Sequence, residues 1–407
     1  PCAGSNADGG RDLDHDRDEP AFLDNINRLS GGKMERLPHS DTVKYIMEKL
    51  DPMELAGVRG QMLRRLIRNK VLDSMRLSKE ITGKKHFTVA IDAVHFHTSH
   101  REIPHSTRRV HADGTVDYML IALEAQIVNR DGRRIPLMTE FIENEQNPDY
   151  VKQDCELKAC KRLLPRLKET YPRLPLVILL DGLYLCEDIV NLVRKNGWEL
   201  SVTVTDKTSA FLAKAEEKMA ANPRNRIEDT DPVDKRRRTV TWANGVKHVF
   251  GDTKVCLNVL KMSKTNGKGE TETLFYATTI FLSKRRVIGV LDQVCRTRWQ
   301  IEESFKVQKC HGLGLEKAFG TVGNAVLNFY HLVQIANITL QLIMHSSLFR
   351  RLQQHQNPDR IRHPIRRPML EWYGTIKNIL AKIKSCLLMI PLSGIDLSNW
   401  RLEFNTS

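Results

Sequence analysis

The segment Cys295–Lys309, C-R-T-R-W-Q-I-E-E-S-F-K-V-Q-K, holds acids and cations at spacings that a helix gathers onto one face. At about 100° per residue, Cys295, Arg298, Glu302 and Lys309 fall within roughly a 60° arc. Val294, Ile301 and Phe305 form an adjacent apolar stripe, which sets Glu302 at the border of the buried face and points Glu303 away from it. On a solvated helix this pattern amounts to an Arg298–Glu302 ion pair at i,i+4. Two aspartates add to it. Asp92 follows F-T-V-A-I and Asp181 follows L-P-L-V-I-L-L. Both runs are short, continuous and β-rich, as strands buried on both faces of a mixed sheet must be, so each acid emerges at the sheet's rim. A single aspartate there commonly caps the next turn. Strand Asp, strand Asp and helix Glu in that order go beyond what turn caps and a surface ion pair require.

On these residues the chain resembles insertion-sequence DDE transposases of the subgroup marked by Y-x(2)-R-x(3)-E-x(6)-K. Arg298, Glu302 and Lys309 match its last three elements, and Cys295 stands in the place of the Tyr. The runs T-E-F-I-E-N from Thr139, K-Q-D-C-E-L-K-A from Lys152 and D-G-L-Y from Asp181 extend the likeness over about residues 86–316. The resemblance implies a ribonuclease-H-like α/β fold, cleavage at transposon ends and strand transfer. Such chemistry uses two Mg²⁺ ions, with Mn²⁺ as a substitute, to activate the nucleophile and steady the leaving oxygen. Asp92 is expected to bridge both ions, with Asp181 completing one and Glu302 the other. Arg298, through its planar fork, and Lys309, as a point charge, are expected to grip phosphates. The implied partners are double-stranded DNA carrying terminal repeats and a second copy of the chain when two ends are synapsed. The implied setting is a prokaryotic, nucleoid-associated cytoplasm.

Composition agrees with a polyanionic partner. The chain has 63 Lys+Arg against 49 Asp+Glu, a formal charge of +14, which draws it to nucleic acid. The cations cluster: Arg64, Arg65, Arg68 and Lys70; Lys235, Arg236, Arg237 and Arg238; and Arg350, Arg351, Arg360, Arg362, Arg366 and Arg367. Such clusters suit sequence-independent phosphate contact, or a solvated face. The eight cysteines include no C-x-x-C, so neither a disulfide framework nor a zinc site is expected. Histidines 95, 97, 100, 105 and 111 lack regular ligand spacing. Ala325–Met344 is the most membrane-like run, yet Asn328, His331, Gln334, Asn337 and Gln341 recur along it at helical spacing. That stripe suits a core helix rather than a lipid span, and no membrane partner is expected.

The elements that must position the acids follow from periodicity. Residues 1–80 read as an N-terminal helical region, incomplete upstream, with helices starting at a Ser40 cap and at Asp51. Residues 81–207 form the first part of a ribonuclease-H-like core: strands Phe87–Ala93, Tyr118–Asn129 and Ile135–Ile142 about an Asp131-Gly132 turn, helix Lys152–Thr170, strand Leu176–Leu180, helix Glu187–Lys195 and strand Leu200–Thr205. Residues 208–275 read as a β-rich inserted domain with an Asn244-Gly245 hairpin, where Trp242 either packs in the core or stacks on an unpaired base. Residues 276–347 complete the core with the Glu302 helix, beside which Trp299 is expected to pack, and 348–407 form a basic helical region. Two alternatives stay open: a catalytically silent transposase-derived DNA-binding protein, and a ribonuclease-H-like nuclease without transfer activity. The long β insertion and the basic C-terminal region argue against the nuclease.

Overall fold

The structure is a computed structural model that describes residues 14–144, 154–204, 209–250, 253–265, 271–317, 320–346 and 369–392. Its strands are β1 Phe87–Ser99, β2 Thr107–Val110, β3 Val116–Val128, β4 Arg134–Ile142, β5 Leu176–Leu180, β6 Glu199–Val204, β7 Arg226–Thr230, β8 Arg237–Phe250, β9 Thr253–Thr265 and β10 Thr271–Thr278. Its helices are α1 Pro20–Ser30, α2 Ser40–Lys49, α3 Pro52–Arg68, α4 Lys79–Thr82, α5 Glu156–Thr170, α6 Glu187–Lys195, α7 Ser209–Ala220, α8 Val287–Gln293, α9 Gln300–Cys310, α10 Ala325–Met344 and α11 Met369–Met389. The fold is mixed α/β: one large mixed sheet flanked by helices, in the order β2-β3-β1-β5-β6-β10-β9-β8-β7 with β4 also paired to β3. By contacts the chain divides into two compact units, Pro1–Arg65 with His95–Leu120 and Ser304–Ser407, and Leu66–Val94 with Ile121–Glu303.

In the second unit the centre of the sheet is parallel. Leu176–Leu180 is buried along its whole length between β1 and β6, each parallel to it. A strand covered on both faces needs a continuous apolar run, and removing each such side chain from water contributes about 1.5–3 kcal/mol. The crossover helices supply the covering surface. α5 buries Ala159, Cys160, Leu163, Leu164 and Leu167, and α6 buries Ile189, Val190 and Val193, both at helical spacing. At the β3–β4 turn Gly132 takes φ +82°, a left-handed conformation open to glycine at little cost.

The strands β7 to β10 continue the sheet. β10 pairs antiparallel with β6, setting Phe275 opposite Val204 and Thr278 opposite Ser201, and β9, β8 and β7 follow in turn. The edge of β6 is thereby covered, which removes a row of unpaired backbone groups. Asn244-Gly245 is a bulge inside β8 and no hairpin: the register to β9 shifts between Ala243 and Val246, and Gly245 takes φ +66°. Asn244 holds the bulge by donating to the Leu282 carbonyl at 2.8 Å and accepting from the Leu282 N–H at 3.0 Å.

The first unit is mostly helical. α2 begins with His39 as its cap rather than Ser40, whose hydroxyl donates to Asp14 at 2.6 Å. α3 starts as expected, Asp51 accepting from the Met53 N–H at 2.9 Å. α10 is long and apolar enough to cross a membrane by length and composition, but it is mostly buried, its polar residues included. Asn328 donates to the Met47 and Leu50 carbonyls at 2.8 Å, capping the end of α2. Gln334 donates to Gln308 at 2.7 Å, and Gln308 to Ser304 at 3.1 Å. The six C-terminal arginines from Arg350 to Arg367 lie outside the described residues.

Candidate active site

Two neighbouring parallel strands present the aspartates. β1 and β5 pair from Phe87 opposite Leu176 to Ala90 opposite Leu179. Continuing that register by two residues sets Asp92 opposite Asp181. Asp92 accepts from the Ala93 N–H at 2.9 Å. One Asp181 oxygen accepts from the Leu183 N–H at 2.8 Å, capping the 3₁₀ turn Gly182–Tyr184, the ordinary work of an aspartate at a strand end.

The chain returns to these acids through a second 3₁₀ turn, Cys295–Trp299, leading into α9. Arg298 stands at the centre. It donates through Nη1 to Asp92 Oδ2 at 3.2 Å and through Nη2 to Glu302 Oε1 at 2.7 Å. Burial pushes the Asp92 carboxyl up to about 6; Arg298 and the Ala93 N–H pull it down, while the carboxylates of Asp181 and Glu302 push it further up. Two neighbouring carboxylates thus act on Asp92 against a single guanidinium. Arg134 of β4 steadies the helix start by donating to Gln300 at 3.0 Å.

Several sequence expectations need correction. Cys295 is not on an arc with Arg298 and Glu302: it lies in the 3₁₀ turn, 3% exposed, with the Ser201 hydroxyl 3.4 Å from its sulfur. Burial pushes its thiol up to about 12, opposed weakly by Ser201. Glu303 does not point to solvent; it is 8% exposed, because α9 is covered around most of its circumference and Lys306 is its outward residue. Trp242, placed with the DNA-binding residues as a stacking candidate, is 2% exposed and sits opposite Leu260 in the core of the added strands. Trp299, expected to pack, is 54% exposed beside Arg298.

Among the candidate DNA contacts, Arg237 is exposed, and Arg236 pairs with Asp234 at 2.7 Å on the surface. Arg238 is not a surface cation. Its side chain is fully buried between Asp229 and Asp292, because its position in β8 alternates to the face opposite Arg237. Arg64, Arg65, Arg68 and Lys70 are exposed. Lys309, in the first unit, pairs with Glu316 at 3.4 Å.

Sequence reasoning missed three contributors. Tyr184, of the D-G-L-Y run, is buried and donates to Glu156 at 3.0 Å, and burial raises its hydroxyl well above the usual range. Glu140, of T-E-F-I-E-N, is gripped by Arg162 at 2.6 Å and by Arg166, fastening α5 to β4. Asp231 is fully buried and bound to Lys264 and Arg296. The first two lay in runs already singled out; nothing local in the sequence marks Asp231.

The donor chemistry at Asp92, Asp181 and Glu302 fits a hard divalent cation: all oxygen, and more negative than its one cation neutralises. Among the described residues, no group of three or more His, Cys, Asp or Glu side chains is gathered closely enough to hold an ion as it stands.

No family model matches the chain, and no curated protein matches it. Among solved structures it is similar to a piggyBac transposase in a synaptic complex with hairpin DNA, at 9% identity and a TM-score of 0.31, over 73% of this chain and 57% of that one. It is also similar to the Kluyveromyces polysporus Argonaute with a guide RNA, at 10% identity and a TM-score of 0.22, over 84% of this chain and 46% of the other. The chain therefore spans little more than half the length of the transposase it matches. Both similarities are remote, and the functional reading rests on the chain's own residues.

Proposed function

We propose that the protein is a DNA transposase of the DDE type, with a ribonuclease-H-like core, that cuts at element ends and transfers strands using divalent metal. The observation that carries this reading is that Asp92 and Asp181 follow in register at the same end of adjacent parallel strands, while Arg298 contacts both Asp92 and Glu302 of a distant helix. A structural ion pair would balance its charges; this cluster leaves a partly buried excess of carboxylate, which draws in metal.

Asp92, Asp181 and Glu302 would hold Mg²⁺, which supplies a more acidic bound water and a stabilised leaving oxygen when present. Arg298 keeps Asp92 and Glu302 from repelling one another before metal arrives, and its fork suits a phosphate once they are neutralised. Trp299 is the exposed aromatic beside the cluster, so base stacking falls to it rather than to Trp242. The exposed Arg64, Arg65, Arg68, Lys70 and Arg237 suit backbone contact with duplex DNA. Terminal repeats as substrate, a dimer in synapsis, Mn²⁺ as a substitute and a nucleoid-associated setting belong to the same proposal.

The test is Mg²⁺-dependent nicking of DNA carrying the element's own ends. Asp92→Asn and Glu302→Gln are each expected to abolish nicking with DNA affinity retained, since a ligand is lost and almost no surface changes. Either variant nicking at the normal rate overturns the reading. A second reading, a silent DNA-binding derivative, is favoured by one observation: Arg298 occupies the space between two of the three acids. It is supported if the wild-type protein binds those ends and never cuts them.

A further inference from the structure

A second charged cluster, with Arg238, Asp231, Lys264 and Asp292 buried at its centre, links the added strands to the turn that carries Arg298. Arg238 of β8 makes two forks, to Asp229 at 2.7 and 2.9 Å and to Asp292 at 2.6 and 2.8 Å. Asp231 accepts from the Val233 N–H at 2.8 Å and from Arg296 at 3.0 Å, and pairs with Lys264 of β9. Arg296 also reaches Asp292 at 3.4 Å, and Lys264 reaches Asp234 at 3.1 Å. With Arg236, which pairs with Asp234 at 2.7 Å, four acids meet four bases here. Burying such charges costs several kcal/mol per ion, and well-packed apolar residues are often as stable, so the better-attested use of such a network is to fix one arrangement.

The arrangement it fixes is that of the Cys295–Trp299 turn. A 3₁₀ turn has poor hydrogen-bond geometry and is short, and this one has no side-chain cap at its start. Its side chains set its direction: Cys295 into the sheet against Ser201, Arg296 into the internal network, and Arg298 to Asp92 and Glu302. We propose that Arg296 is a positioning residue for the cleavage centre: by gripping Asp231 and Asp292 it locks the turn to β8 and β9 and so sets where Arg298 and Glu302 meet Asp92. The inference rests on reading that centre as the site of phosphodiester cleavage. It gives the four added strands a task, as a keyed support for the Glu-bearing segment.

The experiment uses the full chain and two readouts, the rate of Mg²⁺-dependent nicking and hydrogen exchange at the backbone amides of residues 297–302. Arg296→Gln is expected to lower the nicking rate by about 10²-fold, the cost of misplacing a reacting group by about 1 Å, with DNA affinity unchanged and exchange accelerated. Arg296→Lys, which keeps a cation for Asp231, is expected to recover part of the rate. Leu260→Ala, a cavity in the core of β9 away from the charges, serves as the control. It is expected to lower the unfolding midpoint while leaving the nicking rate and these amides unchanged well below that midpoint. Arg296→Gln nicking at the wild-type rate, or Leu260→Ala losing rate and protection at 297–302 as Arg296→Gln does, overturns the proposal. If the wild-type protein does not nick at all, the cleavage reading fails, and the exchange comparison alone decides whether Arg296 holds the turn.

Discussion

Two clusters of aspartate and arginine both draw on the segment Asp292–Glu302 and differ in what their charges do. Around Arg238 and Asp231, acids and bases balance and each buried charge has partners. Although burial alone would raise it, the Asp231 carboxyl is held well below the usual carboxylate range by Lys264, the Val233 N–H and Arg296. Around Arg298, two carboxylates share one guanidinium with Asp181 as a third acid acting on Asp92, which is pushed up to about 6, by burial first. The same residue types thus give a fastener in one place and an unsatisfied, ligand-seeking site in the other. A perturbed acid in an unbalanced setting is the better marker of chemistry.

The comparison is broken most severely by removing one partner from the balanced cluster. Arg238→Leu strands Asp229, leaves Asp292 with Arg296 alone and is expected to cost about 3–5 kcal/mol, read as a drop in denaturant midpoint; a loss below about 1 kcal/mol would mean that water already reaches the network. Trp242→Ala is expected to cost a similar amount, about 3–5 kcal/mol, through a core cavity, with DNA affinity unchanged at temperatures where the variant stays folded. Trp299→Ala is expected to do the reverse, and an affinity loss confined to the Trp242 variant would return the stacking role to that residue. Cys295→Tyr brings the subgroup's residue into a fully packed position and is expected to cost about 1–3 kcal/mol by overpacking. Its thermal midpoint checks this, and an unchanged midpoint would show that the site opens to admit the ring.

The smallest effect carries the opposite sign. An aspartate whose folded pKa, about 6, lies above its ordinary 3.8 binds its proton more tightly in the folded state. It therefore lends stability below about pH 4 that is lost as pH rises through 6. Asp92→Asn should match the wild type near pH 3.5 and exceed it at pH 7 by about 1–2 kcal/mol, less than the shift alone gives because Arg298 loses a partner. Asp231→Asn should run the other way, weaker than wild type at neutral pH and converging with it as acid protonates Asp231. Melting curves across pH check both, and parallel profiles for the two variants would erase the distinction between the clusters.

Much of this frame was legible in the sequence, for identifiable reasons. Leu176–Leu180 and Phe87–Ile91 read as buried strands because a two-face burial demands a continuous apolar run, and their acids followed at the rim. Asn244-Gly245 was misread because a hairpin turn and a bulge both need a residue at positive φ, and only the pairing partner distinguishes them. Cys295 and Glu303 were misplaced because one helical period was run through a 3₁₀ turn and because α9 is covered on several sides. The network around Arg238 could not be read locally: its partners stand 9 and 54 residues away. A basic run therefore looked like a surface, although strand alternation turns Arg238 inward.

The central claim, that Asp92, Asp181 and Glu302 bind metal together, is tested most directly by replacing Mg²⁺ with Fe²⁺ and mapping where the radicals it generates cut the protein's own backbone. Cuts clustered at 92, 181 and 302, competed away by Mg²⁺ and lost in Asp92→Asn, are the expected result. Cuts clustered elsewhere, or a wild-type pattern unchanged in Asp92→Asn, would contradict it.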